Sequence, residues 1–144
     1  MKALIWPLAL IVLIGLVLMA EQVGFWQTVQ PVRMHPVNCG NLAAGCTVRH
    51  EGRDIRLGMN GNPKPLAPVE VWVDPGRPQV SGVEARFTME GMDMGFNLYT
   101  LRPDPQGVFR ARVTLPICVT GRRDWNMVLD VGQIRLNVPF VTNL

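Results

Sequence analysis

Val108-Phe109-Arg110-Ala111-Arg112-Val113-Thr114-Leu115 is the stretch that decides the fold. Phe109, Ala111 and Val113 alternate with Arg110, Arg112 and Thr114. A period of two puts apolar residues on one face of an extended chain and polar residues on the other. The pattern recurs on both sides. Upstream, Val69, Val71 and Val73 oppose Glu70 and Trp72, and Val83, Ala85, Phe87 and Met89 oppose Glu84, Arg86 and Thr88. Downstream, Trp125, Met127, Leu129 and Val131 share a face, followed by Ile134, Leu136 and Val138. Turn sequences separate the runs: Asp74-Pro75-Gly76-Arg77-Pro78, Pro103-Asp104-Pro105-Gln106-Gly107 and Gly132-Gln133. Short candidate strands at 53–57 and 95–101 complete the set, with Met59 to Pro63 read as a loop. The expectation is an all-β, immunoglobulin-like antiparallel β-sandwich of about seven strands over residues 53–144.

The N-terminal part is of another kind. Residues 3–20 carry no charge. At about 1.5 Å per residue, such a helix just spans a hydrocarbon core of about 30 Å. Trp6 at one end and Phe25 with Trp26 beyond the other suit the two interfaces. A cleaved signal peptide is the alternative. Lys2 supplies its charge, but Leu18-Met19-Ala20 puts Leu where a small residue belongs. The sequence therefore predicts a single N-terminal transmembrane helix within residues 1–29, with a short cytoplasmic tail and the rest of the chain outside. Residues 30–52, with Pro31 and Pro36, read as a linker and irregular lead-in.

The three cysteines fit an outside location. Cys39 and Cys46 flank a flexible spacer and are expected to pair in an oxidising compartment. The other reading is a reduced pair, or a metal pair of unusual spacing. Cys118 is left over. The net charge is only +3, and the basic residues are scattered. No basic stripe with interleaved aromatics exists, so nucleic acid is not an expected partner. The sequence also lacks Gly-x-Ser-x-Gly, Cys-x-x-Cys, His-Glu-x-x-His and a phosphate-binding Gly loop, so an enzyme is not expected.

Met89-Glu90-Gly91-Met92-Asp93-Met94-Gly95 places three methionines between two strand runs. Turns are ordinarily built from Gly, Asn, Asp, Ser and Pro. Thioethers in a turn need a cover or a ligand, and Cu(I) is the soft ion that prefers them. In an antiparallel sandwich, alternate loops lie at the same end. The loops at Glu90–Met94 and Pro116–Arg122 then share an end with the loop holding Met59, and His50 falls at the opposite end. Met92, Met94 and Cys118 can converge there, with Met89 or Met59 as a further sulfur. Three readings stand for Met92 and Met94: metal ligands, a protein interface, or a plug for the end of the sandwich. Met89 and Met127 fit the core by their alternation. Cys118 reads as a small buried hydrophobe, a ligand or a reactive thiol. His35, after Met34, and His50 read as solvated, although a Met-His pair in the lead-in also has the makings of a copper hand-on point.

An anchor, an outside β-sandwich and a strand–Met-x-x-Met-x-Met-Gly–strand segment together resemble the YtkA-like and FixH-like families of bacteria. Gly107-Val108-Phe109, the Leu115-Pro116 segment and the run from Gly121 to Trp125 continue the likeness, which covers about Arg53 to Val131. Cys118 departs from it, standing where the related pattern tends to carry Met. The resemblance implies a single-pass protein of the bacterial inner membrane with its C-terminal domain in the periplasm. It also implies Cu(I) binding, or accessory service to a haem–copper respiratory oxidase. The implied metal ligands are Met89, Met92 and Met94, with Cys118 as this chain's variation. The rival expectation is a structural accessory subunit of a membrane complex, docked through its anchor and its Met-rich loop without metal.

Overall fold

The computed structural model describes residues 10–15, 33–77, 79–92 and 97–143. The chain divides into two compact units, Met1–Pro31 and Val32–Leu144. In the first, residues 10–15 are helical. Among the described residues, no helix is long and apolar enough to cross a membrane. Most of the predicted span at 3–20 lies outside the described residues, as does Met94.

The second unit is all-β. Its strands are β1 (Met34–Pro36), β2 (Cys46–His50), β3 (Arg53–Asn60), β4 (Pro68–Asp74), β5 (Val83–Thr88), β6 (Leu98–Pro103), β7 (Phe109–Thr114), β8 (Asp124–Val131) and β9 (Ile134–Val141). They run in the order β1-β9-β8-β5-β6-β7-β4-β3-β2. Every pairing is antiparallel except β1 with β9, which is parallel.

Among the described residues nine strands replace the expected seven, because β1 and β2 form within the predicted lead-in. β1 is only Met-His-Pro, too short to show a period. It exists because β9 offers a free edge, with His35 opposite Leu136. β2 alternates Cys46, Val48 and His50 with Thr47 and Arg49, but its inner positions are only half-buried. A further correction concerns Met59. It is not in a loop: β3 runs on to Asn60, and Met59 is fully buried opposite Val71. The chain turns two residues later, at Gly61.

β6 is the corner of the sheet. Residues 98–101 pair with β5, whereas Arg102 and Pro103 pair with β7. A strand that changes partners along its length lets a sheet curl onto itself. The inner faces then enclose one core. Ile55, Leu57, Val71 and Val73 on one half meet Phe87, Trp125, Met127, Leu129 and Leu136 on the other. Phe87 stands edge-on to Tyr99 and Phe140, with ring centres 5.9 and 6.2 Å away. Burying each large side chain stabilises the fold by about 1.5–3 kcal/mol.

β1 and β2 stand at opposite ends of the strand order, yet side chains join them. The Cys39–Cys46 disulfide closes the loop between them, with Cα atoms 5.7 Å apart. The His35 and His50 rings also meet, with centres 4.4 Å apart. Strand directions then define two ends. One gathers residues 61–67, 89–92, 97 and 115–123 with the disulfide loop. The other gathers residues 51–52, 75–77, 79–82, 104–108 and 132–133.

Candidate metal centre

At the first of these ends, β5 runs into a tight turn. The amide of Met92 donates to the carbonyl of Met89 at 3.1 Å, and Gly91 has φ +73°. A positive φ at the third residue of a turn is the type II pattern, which asks for Gly there. The Met-rich segment therefore satisfies turn chemistry through Gly91 while Met89 and Met92 serve elsewhere. Met89 goes into the core and is 3% exposed. Met92 packs half-buried against the same core.

The loop between β7 and β8 supplies the opposing group. The amide of Gly121 donates to the carbonyl of Cys118 at 3.0 Å, closing a second turn over 118–121. This brings the Cys118 Sγ to 3.5 Å from the Met92 Sδ. The Thr120 Oγ1 lies 3.0 Å from the same sulfur. The two loops are also tied directly: Arg122 donates through Nη1 to the carbonyl of Glu90 at 2.8 Å, while its other nitrogens hold Asp124.

This setting favours the thiolate of Cys118. Hydrogen bonding from Thr120 is the main influence and lowers the pKa below the ordinary thiol value. Burial opposes it, and the backbone amides of Thr120 and Arg122 with the Arg122 charge add to the lowering. A thiolate is both the stronger nucleophile and the better metal ligand.

Of the predicted ligands, the structure brings together Met92 and Cys118. Met89 lies one turn away, with its side chain in the core. Met94 is outside the described residues. Met59 and Met127 are fully buried. Thr120 and Arg122 were not legible as site residues. Thr120 had one available signal, since a hydroxyl two residues after a cysteine can bond back locally. The donor set fits a soft ion, because thioether and thiolate face each other without a competing carboxylate on either sulfur. Among the described residues, no group of three or more His, Cys, Asp or Glu side chains is placed to hold a metal. A polar cleft at the other end, lined by Asp74, Arg77, Gln79 and Gln106, offers neither sulfur nor imidazole.

Exposed apolar residues flank Cys118 in the chain. Val119 is 98% exposed and Ile117 59%. Leu66 is 63% exposed and has φ +58°, a backbone region that bulky residues seldom occupy. Its amide bonds the carbonyl of Leu115 at 2.8 Å. Compared with protein-family models, curated proteins and solved structures, the chain matches none.

Proposed function

We propose that this chain is a membrane-anchored, periplasm-facing protein that binds Cu(I) at Met92 and Cys118. Met94 and Met89 are the candidate further sulfurs. The role is delivery or accessory service to a haem–copper respiratory oxidase, in keeping with the resemblance to YtkA-like and FixH-like proteins. The protein acts by holding an ion rather than by catalysis, and the N-terminal segment sits in the lipid bilayer. The single observation that carries this reading is the 3.5 Å approach of the Cys118 and Met92 sulfurs. The finer fold proposal is an immunoglobulin-like sandwich. The antiparallel pairs β4–β7, β5–β8 and β8–β9, with β1 running parallel along β9, support it.

When bound, Cu(I) supplies a soft, exchangeable cargo. The chain's own residues do the rest. Cys118 presents a sulfur biased toward thiolate, Thr120 steadies it, and Arg122 holds the two loops in register.

The exposed Ile117 and Val119, on either side of Cys118, support a second reading, a metal-free accessory subunit docked through its anchor and its Met-rich loop. One experiment separates the two: Cu(I) titration of the full-length chain against a chromophoric chelator. The copper reading expects about one equivalent, lost in Met92→Leu/Met94→Leu and in Cys118→Ser. Leucine keeps the apolar contact and removes the sulfur. Wild-type binding no stronger than that of the variants sinks the copper reading and leaves the docking one.

A further inference from the structure

The chain has two histidines, and the fold brings both to one place. We propose that His35 and His50 form a second site, for a borderline divalent transition-metal ion such as Cu(II) or Zn(II). It lies at the opposite end of the β domain from Met92 and Cys118.

The geometry carries the proposal. His35 is the middle residue of β1 and His50 the last of β2. Those strands are the two extremes of the sheet order, so nothing in the ladder forces their side chains together. The rings nevertheless stand 4.4 Å apart between centres, with planes at 61°. Two imidazoles sharing one ion at about 2.0–2.1 Å from each ligating nitrogen keep their centres about 4.5–5 Å apart. The observed 4.4 Å falls just short of that spacing, so a small outward rotation of either ring would admit an ion. The His50 side chain is 20% exposed, so the site is sheltered but reachable.

The turn beside it points the same way. Glu51 and Gly52 connect β2 to β3 with φ +48° and +77°. Two positive φ values are the signature of a two-residue hairpin turn, which favours Asn-Gly, Asp-Gly or Gly-Gly. Glu is a costly choice there, and backbone cost at one residue suggests a task for its side chain. The Glu51 Oε1 lies 3.9 Å from the His50 Nε2, so a carboxylate stands beside the imidazoles. A cation between the rings gains from that charge. With two protein nitrogens and the remaining positions left to water, the site suits an exchangeable ion rather than a permanently held one. Imidazole selects borderline divalent ions, whereas the sulfur pair selects Cu(I), so the two ends differ in the ions they take.

The test is binding of Cu(II) and, separately, Zn(II) to the full-length chain. The expected result is one equivalent of either ion, with a Cu(II) electron paramagnetic resonance signal showing coupling to two imidazole nitrogens. Saturating Zn(II) is expected to raise the unfolding temperature by about 5–10 °C. Affinity should fall by about tenfold or more in His35→Ala, in His50→Ala and in the gentler His50→Gln. It should persist in Met92→Leu/Cys118→Ser, which separates this site from the sulfur one. Wild-type affinity no higher than that of the folded His50→Gln chain, or a copper signal without imidazole coupling, overturns the proposal and leaves the ring contact as packing alone.

Discussion

Arg122 donates through Nη1 to the carbonyl of Glu90 at 2.8 Å, across 32 residues of sequence. This bond locks the turn after β5 to the loop before β8, and so sets where the Met92 and Cys118 sulfurs stand. Arg122→Ala should free both turns. Amide exchange at Met92 and Gly121, whose N–H groups close those turns, should accelerate, while the amides of β4 and β8 keep their protection. Uniform acceleration across the domain would show instead that Arg122 acts on global stability.

Cys118 should titrate below the ordinary thiol value of about 8.5. Thr120→Val removes the main stabilising hydrogen bond and should move the titration upward. Arg122→Ala should move it less, because it removes only the Arg122 charge, which ranks below the Thr120 hydrogen bond, and leaves the backbone amide in place. Absorbance of the thiolate against pH measures both, with Cys118→Ser as the blank. An unchanged titration in Thr120→Val would remove the local explanation.

Gly58 lies beneath Trp72 and the disulfide loop. A Cβ at this position would meet the Trp72 ring at 2.7 Å and the carbonyl oxygen of Leu42 at 2.8 Å. Gly58→Ala should cost about 1–3 kcal/mol, read as a lower urea midpoint at unchanged slope. Adding Trp72→Ala should recover only part of the Gly58→Ala penalty, because the Leu42 carbonyl stays in the way. Full recovery would place the whole clash on the indole.

Cys39→Ser/Cys46→Ser opens the disulfide that cross-links the connection between the sheet's two edge strands. On the chain-entropy model, so short a loop contributes about 2–3 kcal/mol. The double variant should unfold at correspondingly lower urea. Loss near zero would mean that the β1–β9 and β2–β3 pairings hold the edges unaided.

Acid should unfold the domain in a defined window. The hydrogen bond from Arg56 is the main influence holding the Asp74 carboxyl below the usual range. Arg110 does the same for Asp104, helped by the amides of Val108 and Gln106. A folded pKa below the unfolded value of about 3.9 means that stability is fully present above that value. It is lost as pH falls through the lower folded values. The unfolding temperature should thus be level above about pH 5 and fall below about pH 4. Asp104→Asn should flatten the acid limb. A decline beginning near neutrality would point to other groups.

Strand identity was legible wherever side chains alternate strongly. β4, β5, β7, β8 and β9 follow from the period of two in their residues, because one buried face imposes that period on any half-covered strand. The inward sets Val69–Val71–Val73 and Trp125–Met127–Leu129–Val131 are buried as their spacing requires. The pairing of Cys39 with Cys46 was also within reach, since a seven-residue separation leaves little else to close. Tertiary structure alone decided β1, whose three residues carry no period and whose backbone is satisfied by the edge of β9. It alone decided that β6 turns the corner, because that depends on which neighbour each half of the strand meets. The meeting of His35 with His50 belongs to the same class, whereas loop alternation already placed Cys118 and Met92 at one end and the structure added their contact. Residue type along the chain records what each position prefers to bury. Which distant positions then touch is set by sheet order and curl, and no local pattern encodes that.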